Sequence, residues 1–327
     1  MREKNLCRFI LAALILTVAP WGTVEAADKY PARDVQLVTT QPPGGVVDIA
    51  VRIINDGISK NLGVPIVVNN RPGAGGVTGT HYLVKAKPDG YTFGSLSSKD
   101  TVLVPATIPE VPFKYGDLDP LCKFINSPTV VFCKADAPWK SLEDLLADAK
   151  KRPGKITYAA TTHSVSHFLM EGLQKTSGIS MMHIPLQAVG QTITRVLGGN
   201  LDIGISAVAP VAGQLKAGAL RALFVVSPQR MANLPQVPTL KERGFRESVL
   251  TLYTGFFVPR GVPKNSRDSL EKALEKTLKA PGLDKKLEAA GEMTLDYLPA
   301  KAFAKELDDD YKQVIELSKS MQQHPKQ

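Results

Sequence analysis

Residues Thr39 to Ile53 read TTQPPGGVVDIAVRI, two prolines and two glycines between an extended run and an amphipathic one. VQLVTT, ending at Thr40, has the β-branched, apolar character of a buried strand. DIAVRIINDGISKNL, from Asp48, has helical spacing with Ile49, Ile53 and Ile54 on one face. PPGG therefore sits at the carboxyl end of a strand and opens a helix. Gly44 and Gly45 let a ligand approach the backbone with no Cβ in the way. The helix start adds unpaired N–H groups and a partial positive charge, which suit an anion. Pro42 and Pro43 stiffen the approach and reduce the entropy lost on binding. A tight turn with no ligand accounts for the same glycines. Asp48, in the first helical turn, favours the helix dipole and serves either as a cap or as a ligand contact.

Outward from this segment the chain alternates strands and helices. PIVVNN reads as a strand, GVTGTHYLVKAK opens a helix and YTFGSL is a third strand. This βαβαβ pattern predicts a parallel sheet covered by helices. A second α/β unit follows. SLEDLLADAKKRPG is a helix capped by Ser141 and stopped by Pro153-Gly154; KITYAA, MMHIPL, LDIGISA and LRALFVV are strands, with helices between them. TLYTGFFVP, an apolar strand with no partner left in the second unit, is expected to cross back to the first. The remaining C-terminal part reads as helical, with Leu270, Leu274 and Leu278 on one stripe and Phe303, Leu307, Tyr311, Val314 and Leu317 on another. The fold class is α/β: two lobes joined by two crossing strands, with a ligand cleft between them. The expected division is 27–128 plus 253–327 for one lobe and 129–252 for the other. Such a hinge closes on a ligand, and open α/β sheets take ligands beyond the carboxyl ends of their strands.

The other loops at those ends supply the remaining candidates. SLSSKDT offers hydroxyls and N–H groups at Ser97 and Ser98 and a charge at Lys99, which alternatively is a solvated partner of Asp100. ATTHSVSH offers Thr161, Thr162 and His163 ahead of a helix that begins near Ser166 and His167. PLQAVGQ and ISAVAP offer Gln187, Ala188 and Ser206. NNRPGAGGVTG (Asn69 to Gly79) lacks the Gly-Lys-Ser/Thr ending of a P-loop, and Thr78 stands where a dinucleotide fingerprint needs glycine. It reads as mainly structural.

The 327 residues are 43 % hydrophobic and 22 % charged, ordinary for a globular protein, with a formal net charge of +9. Arg2, Lys4 and Arg8 precede the apolar run FILAALILTVA, and VEA follows, so residues 1–26 read as a cleaved secretory leader and the protein as exported. An oxidising compartment permits disulfides. Cys122 and Cys133 flank KFINSPTVVF, and a hairpin centred on Ser127-Pro128 would set them opposite one another. The readings are a disulfide or two buried thiols. The histidines (His81, His163, His167, His183, His324) show no HExxH spacing and no zinc set, and the chain has no GxSxG elbow. Neither mature cysteine lies in a cleft loop. A hydrolytic enzyme, a metal or cofactor, and nucleic-acid binding are thus all disfavoured.

In YPARDVQLV, PPGGVVDIAVRI, NNRPGAGGVTGT, AKPDGYT, PGKITYA, SHFLMEGL, IPLQAVGQTITRVLGGNLDIG, AGALRAL, LPQVPTL and GFFVPRGVP, the chain resembles the extracytoplasmic substrate-binding proteins of tripartite tricarboxylate transporters, the Bug or TctC family. The stretches span nearly all of the mature chain in the family's order. The resemblance implies a two-lobed periplasmic binding protein that is not an enzyme. It would capture a small organic acid (a di- or tricarboxylate, an aromatic carboxylate or similar) and deliver it to a membrane permease, acting as a monomer. Some members serve sensing systems instead, and an extracytoplasmic sensor remains the alternative.

The resemblance also implies that the PPGG and SLSSKD loops hold one carboxylate, largely through backbone groups, while the lobe-two loops hold the far end. This sequence departs from the family's habit at Thr40, Gln41, Lys99, the loop carrying His163, Leu186, Gln187, Ser206 and Tyr253. The ligand-binding set expected is therefore Gln41, Pro43, Gly44, Gly45, Asp48, Ser97, Ser98, Lys99, Thr161, Thr162, His163, His167, Gln187, Ala188, Ser206 and Tyr253. Lys99, His163 and Gln187 would select a second anionic or polar group, and Tyr253 would stack on the ligand or wall it off.

Overall fold

The computed structural model describes residues 30–186, 188–245, 251–291 and 293–323. The leader, residues 1–26, and Gln187 lie outside the described residues.

The first βαβαβ unit forms as its pattern predicts. Strand β1 (Val35–Thr39) buries Val35, Leu37 and Val38 completely. Helix α1 (Val46–Leu62) packs Ala50, Val51, Ile54 and Ile58 on the sheet, while Ile49 and Ile53 flank that face half-buried. Gly63 ends the helix in the left-handed region at φ 86°, its N–H returned to Ser59 O at 2.8 Å. β2 (Ile66–Asn70), α2 (Val77–Val84) and β3 (Thr92–Ser97) follow, with β1 parallel to both β2 and β3. A π-helical turn over Lys99–Leu103 runs into the short α3 (Val104–Thr107).

Beyond this point the sheet is mixed rather than parallel. β4 (Leu118–Asn126) lies antiparallel to two strands from the C-terminal part, β10 (Tyr253–Pro259) and β11 (Thr294–Pro299), and β10 also lies antiparallel to β3. The order is β11-β4-β10-β3-β1-β2. TLYTGFFVP thus crosses back as expected, but into the sheet's middle. β11 was not expected in a part read as helical. It is a half-exposed edge strand of 6 residues with a register shift, too short and too irregular to break the surrounding helical pattern.

The second sheet uses one continuous run of chain: β5 (Thr129–Lys134), α4 (Leu142–Lys151), β6 (Thr157–Ala160), α5 (Val165–Ser177), β7 (Met182–Pro185), α6 (Val189–Leu197), β8 (Ile203–Ala207), α7 (Ala212–Lys216) and β9 (Leu220–Val226). Its order is β7-β6-β8-β5-β9. Ser141 caps α4 by accepting the N–H of Asp144 at 3.2 Å, as its sequence predicts. Helices α8 (Lys264–Leu278), α9 (Leu283–Gly291) and α10 (Ala300–Gln323) pack on the first lobe: Leu270, Leu274 and Leu278 join the core under α1, and Phe303, Leu307 and Val314 join the core on the sheet's other face.

The expected cysteine hairpin is absent. Ser127 and Pro128 carry the chain from β4 in one sheet to β5 in the other, and the Ser127 N–H donates at 2.8 Å to Leu252 O, the residue just ahead of β10. Cys122 pairs with Phe256 in the first sheet, and Cys133 with Ile203 and Arg221 in the second. Both are free, buried thiols. Burial raises both pKa values, that of Cys133 to about 11.

Candidate functional site

The two crossings fix where the lobes face each other. In the first sheet Thr254 pairs with Ser97 and Tyr253 with Asn126, so the carboxyl ends of β3 and β4 meet the start of β10. In the second sheet Thr129 pairs with Ala207 and with Val226, so the carboxyl ends of β8 and β9 meet the start of β5. Asn126 and Thr129 are three residues apart, which spans at most about 10 Å. The carboxyl edges of both sheets therefore open on one gap. On one side of it the lobes touch: Phe168 of α5 is fully buried with Leu96, Val102, Tyr253 and Phe303 of the first lobe.

The PPGG loop is held from beneath by one carboxylate. Asp48 is 1 % exposed. Its Oδ2 accepts the Gly44 N–H at 2.9 Å and Arg52 Nε at 2.9 Å, and its Oδ1 accepts Asn70 Nδ2 at 2.8 Å. Asn70 Nδ2 also donates to Gln41 O at 3.0 Å, and Arg52 reaches Asn70 Oδ1 at 3.1 Å. Burial pushes the Asp48 carboxyl up, but the hydrogen bonds from Arg52, Asn70 and Gly44 outweigh it and hold the group below the usual carboxylate range. Gly44 needs its permissive backbone, at φ 79°.

This corrects the expected nest. The Gly44 N–H is taken by Asp48 and the Gly45 N–H by Pro42 O at 3.1 Å. The donors left open at this loop are those of the first turn of α1 itself. Gly45 is its N-cap with no side-chain cap bond, and the amides of Val46 and Val47 have no acceptor within the helix. Asp48 thus does more than cap the helix: it ties the loop's backbone to β2.

The SLSSKD loop is likewise built inward. Asp100, 2 % exposed, accepts Thr40 Oγ1 at 3.0 Å, the Ser97 N–H at 3.0 Å and Ser97 Oγ at 2.8 Å, all on Oδ2. Burial raises its pKa against the pull of these bonds and of Lys99. Ser98 Oγ donates to Thr251 O at 2.8 Å, and Lys99 Nζ to Gly75 O at 2.5 Å. Thr40 and Asp100 thereby join the two carboxylate loops, a link that sequence reasoning missed. In NNRPGAGG the packing requires glycine at Gly76: a Cβ there (φ 106°) would sit 2.0 Å from Asp100 Oδ1.

In the second lobe Thr161 Oγ1 donates to Leu186 O at 3.0 Å, tying the loop after β6 to the loop after β7. Thr162 and His163 are exposed, and His163 takes a positive φ of 58°. His167 is 5 % exposed, and its Nδ1 accepts the His163 N–H at 3.1 Å. It belongs to the loop's support, not to its rim. Ala188 is exposed and is the N-cap of α6 with no side-chain cap bond; Ser206 is buried, its Oγ donating to Ala207 O at 2.7 Å.

Tyr253 does not wall the cleft. It is fully buried, edge-on to Phe303 at 5.6 Å, and its OH donates to Asp310 Oδ2 at 2.6 Å. Burial lifts the Asp310 carboxyl to about 7. Lys123 lies beside the same ring, paired with Asp296 at 2.8 Å and Glu306 at 2.7 Å. At the end of β4 the buried Asn126 Oδ1 has no hydrogen-bond partner among the described residues. The sequence placed Asn126 in a hairpin loop and so missed it as a polar group at the crossing.

Residues 50–321 match the family model described as the tripartite tricarboxylate transporter family receptor, TctC. The chain belongs to that family. The receptor is 34 % identical over 257 residues to protein BugT of Bordetella pertussis, covering 77 % of this chain and 79 % of BugT. It is similar to a crystal structure, without ligand, of a TctC solute-binding protein from Polaromonas: TM-score 0.79, 26 % identity, 89 % of this chain and 99 % of that one. MatC from Rhodopseudomonas palustris, solved with bound malate, shares the fold at TM-score 0.63 and 21 % identity, covering 88 % of this chain and 100 % of MatC. The resemblance read from the sequence is thereby borne out. Receptors of this family are periplasmic solute-binding proteins, not enzymes. Among the described residues no helix is long and apolar enough to cross a membrane.

Proposed function

We propose that the receptor captures a small organic acid in the gap between its lobes and hands it to a tripartite tricarboxylate transporter permease. The observation that carries this reading is the uncapped first turn of α1, presented at the carboxyl end of β1 by a loop whose own amides are already satisfied. A carboxylate docked there meets the Val46 and Val47 amides and the positive end of a helix of 17 residues. Thr162, His163 and Ala188 on the facing edge, with Gln187, would meet the rest of the ligand. The malate bound in MatC, which shares the fold, supports this reading. Residues 1–26 would direct export, and the lobes would divide as 27–128 with 253–327, and 129–252, hinged at the two crossings.

The test is a melting-temperature panel on refolded, ligand-stripped protein, with mono-, di- and tricarboxylates, aromatic acids and amino acids. An acid at 100 times its dissociation constant adds about 2.7 kcal/mol of stability. A shift for one class of acids names the substrate class. No shift for any acid, with the protein folded, overturns the carboxylate reading. For delivery, a strain lacking the receptor is expected to lose uptake of that acid; unchanged uptake refutes the transport role.

A further inference from the structure

Helix α5 starts with a reciprocal cap. Ser164 Oγ accepts the His167 N–H at 3.2 Å, and His167 Nδ1 accepts the His163 N–H at 3.1 Å. The arrangement is a variant of the capping box, whose third helical residue is ordinarily a Glu or Gln that accepts the N-cap N–H; the N–H taken is that of the residue before the cap, while the Ser164 N–H donates to Thr161 O at 3.0 Å. Here the third helical residue is a histidine, the one common acceptor lost on protonation in mild acid. A ring nitrogen that accepts an N–H carries no proton, so neutral His167 keeps its proton on Nε2, which lies 4.0 Å from Glu171 Oε1. The next proton has to go to Nδ1, where it faces the His163 N–H, donor against donor. A charged His167 and a capped loop therefore exclude each other. The cap also helps hold His163 at φ 58°, a conformation that residues with a Cβ keep only where the surroundings impose it.

We propose that His167 is a positioning residue for the cleft loop Thr161–Ser164, and that its protonation releases the loop and weakens ligand capture. The second half of this proposal rests on the receptor reading above; the first does not.

The groups facing His167 set how readily it charges. From α5 come Glu171 and Lys175, the latter paired with Glu316 of α10 at 3.6 Å. From β6 comes Tyr158, whose OH donates to Glu171 Oε1 at 2.7 Å. From β7 comes His183, its ring stacked on His167 at 4.0 Å and 19°. The His163 ring lies 6.3 Å away, and α10 adds the uncharged Ser320 and Met321 to the shared pocket. Glu171 favours a charged ring but lies on the Nε2 side, so it does not restore the lost acceptor. His183 Nε2 lies 2.8 Å from Ala160 O, which only accepts, so it too keeps its proton on Nε2.

The experiment is a pH titration of ¹⁵N-labelled, ligand-free protein by NMR from pH 8 to 5.5, run on wild type and on His167→Gln. Gln offers the same N–H an acceptor that does not titrate. In wild type the His163 amide is expected to move with the His167 ring; in the variant it stays flat. With malate as the probe, wild-type affinity is expected to fall between pH 7.5 and 5.5 by at most about tenfold per pH unit, the limit for a ligand whose binding requires the loss of one proton. The variant controls for malate's own ionisation. A flat His163 amide in wild type, or the same titration persisting in His167→Gln, overturns the cap. A titrating amide with identical pH dependence of malate affinity in both proteins overturns the link to capture. Malate bound by neither protein at either pH counts against the receptor's reading for that acid, while the amide still decides the cap.

Discussion

Replacing Asp48 with alanine removes the acceptor that fastens the PPGG loop, and the cost follows from what each donor does next. Three hydrogen bonds end on the carboxylate. Bonds to a charged group contribute about 1.5–3 kcal/mol each when both partners are sealed from water. These donors are not sealed: the Arg52 side chain is 53 % exposed, Gly44 is exposed, and Asn70 Nδ2 keeps Gln41 O. The net loss is therefore nearer one such bond plus the helix-dipole interaction, about 2 kcal/mol in all. That predicts a melting temperature lower by about 3 °C in a chain of this size. Binding then has to order the loop as well, and affinity for any acid found in the melting panel should fall about tenfold for each 1.4 kcal/mol of that ordering. The sign with pH is fixed by the lowered carboxyl. Its stabilisation is complete above the unfolded value of 3.8 and is lost only as pH falls through the lower folded value. Calorimetric melts of wild type and Asp48→Ala should thus differ by the same amount from pH 8 down to about 5. A variant that melts with wild type, or a difference that disappears between pH 7 and 5, refutes the reasoning.

Gly76→Ala combines a positive φ with a Cβ driven into the Asp100 carboxylate, and should cost about 2–4 kcal/mol, read as a lower denaturation midpoint in urea. Asp310→Asn keeps an acceptor for Tyr253 without a charge to bury. The raised Asp310 pKa means its contribution is full below 3.8 and is lost as pH rises through about 7, so the variant should be more stable than wild type at pH 8 by as much as about 4 kcal/mol, with the gap closing toward pH 4. Chemical denaturation at the two pH values checks the sign; a variant less stable at pH 8 contradicts it. Thiol titration of unreduced, denatured residues 27–327 should find both Cys122 and Cys133 free, and the native protein should react far more slowly.

The layout was legible where local pattern and tertiary demand agree. VQLVTT became β1 because its apolar residues face cores on both sides of the sheet. Ser141 announced its helix by cap chemistry, whereas the Ser164 cap places the start of α5 slightly ahead of Ser166 and His167. The site was legible only as loops. Spacing reveals that Asp48 lies four residues before Arg52, but not that Asn70, 22 residues on, completes the clasp. Nor does it reveal that Ser97, Ser98 and Lys99 spend their polar groups on Asp100, Thr251 and Gly75. Tyr253 was misplaced because a strand's alternation does not say which of two apolar faces holds the core. The cysteine hairpin failed for a related reason: Ser127-Pro128 has turn composition, yet the pairing of Ser127 with Leu252 keeps the chain running on into the second sheet.

The position of β10 has a consequence for the order in which the protein is made. Every strand of the second sheet comes from residues 129–226, so that sheet is complete once this run has emerged. The first sheet begins earlier in the chain but stays divided, with β1, β2 and β3 on one side and β4 on the other, until residues 253–259 arrive to pair with both. The half of the molecule that is made first is thus finished last. Until then it presents two open strand edges, at β3 and at β4, to any neighbouring chain. A product ending at residue 252 would carry a closed second sheet beside a divided first one, and aggregation should start from those edges.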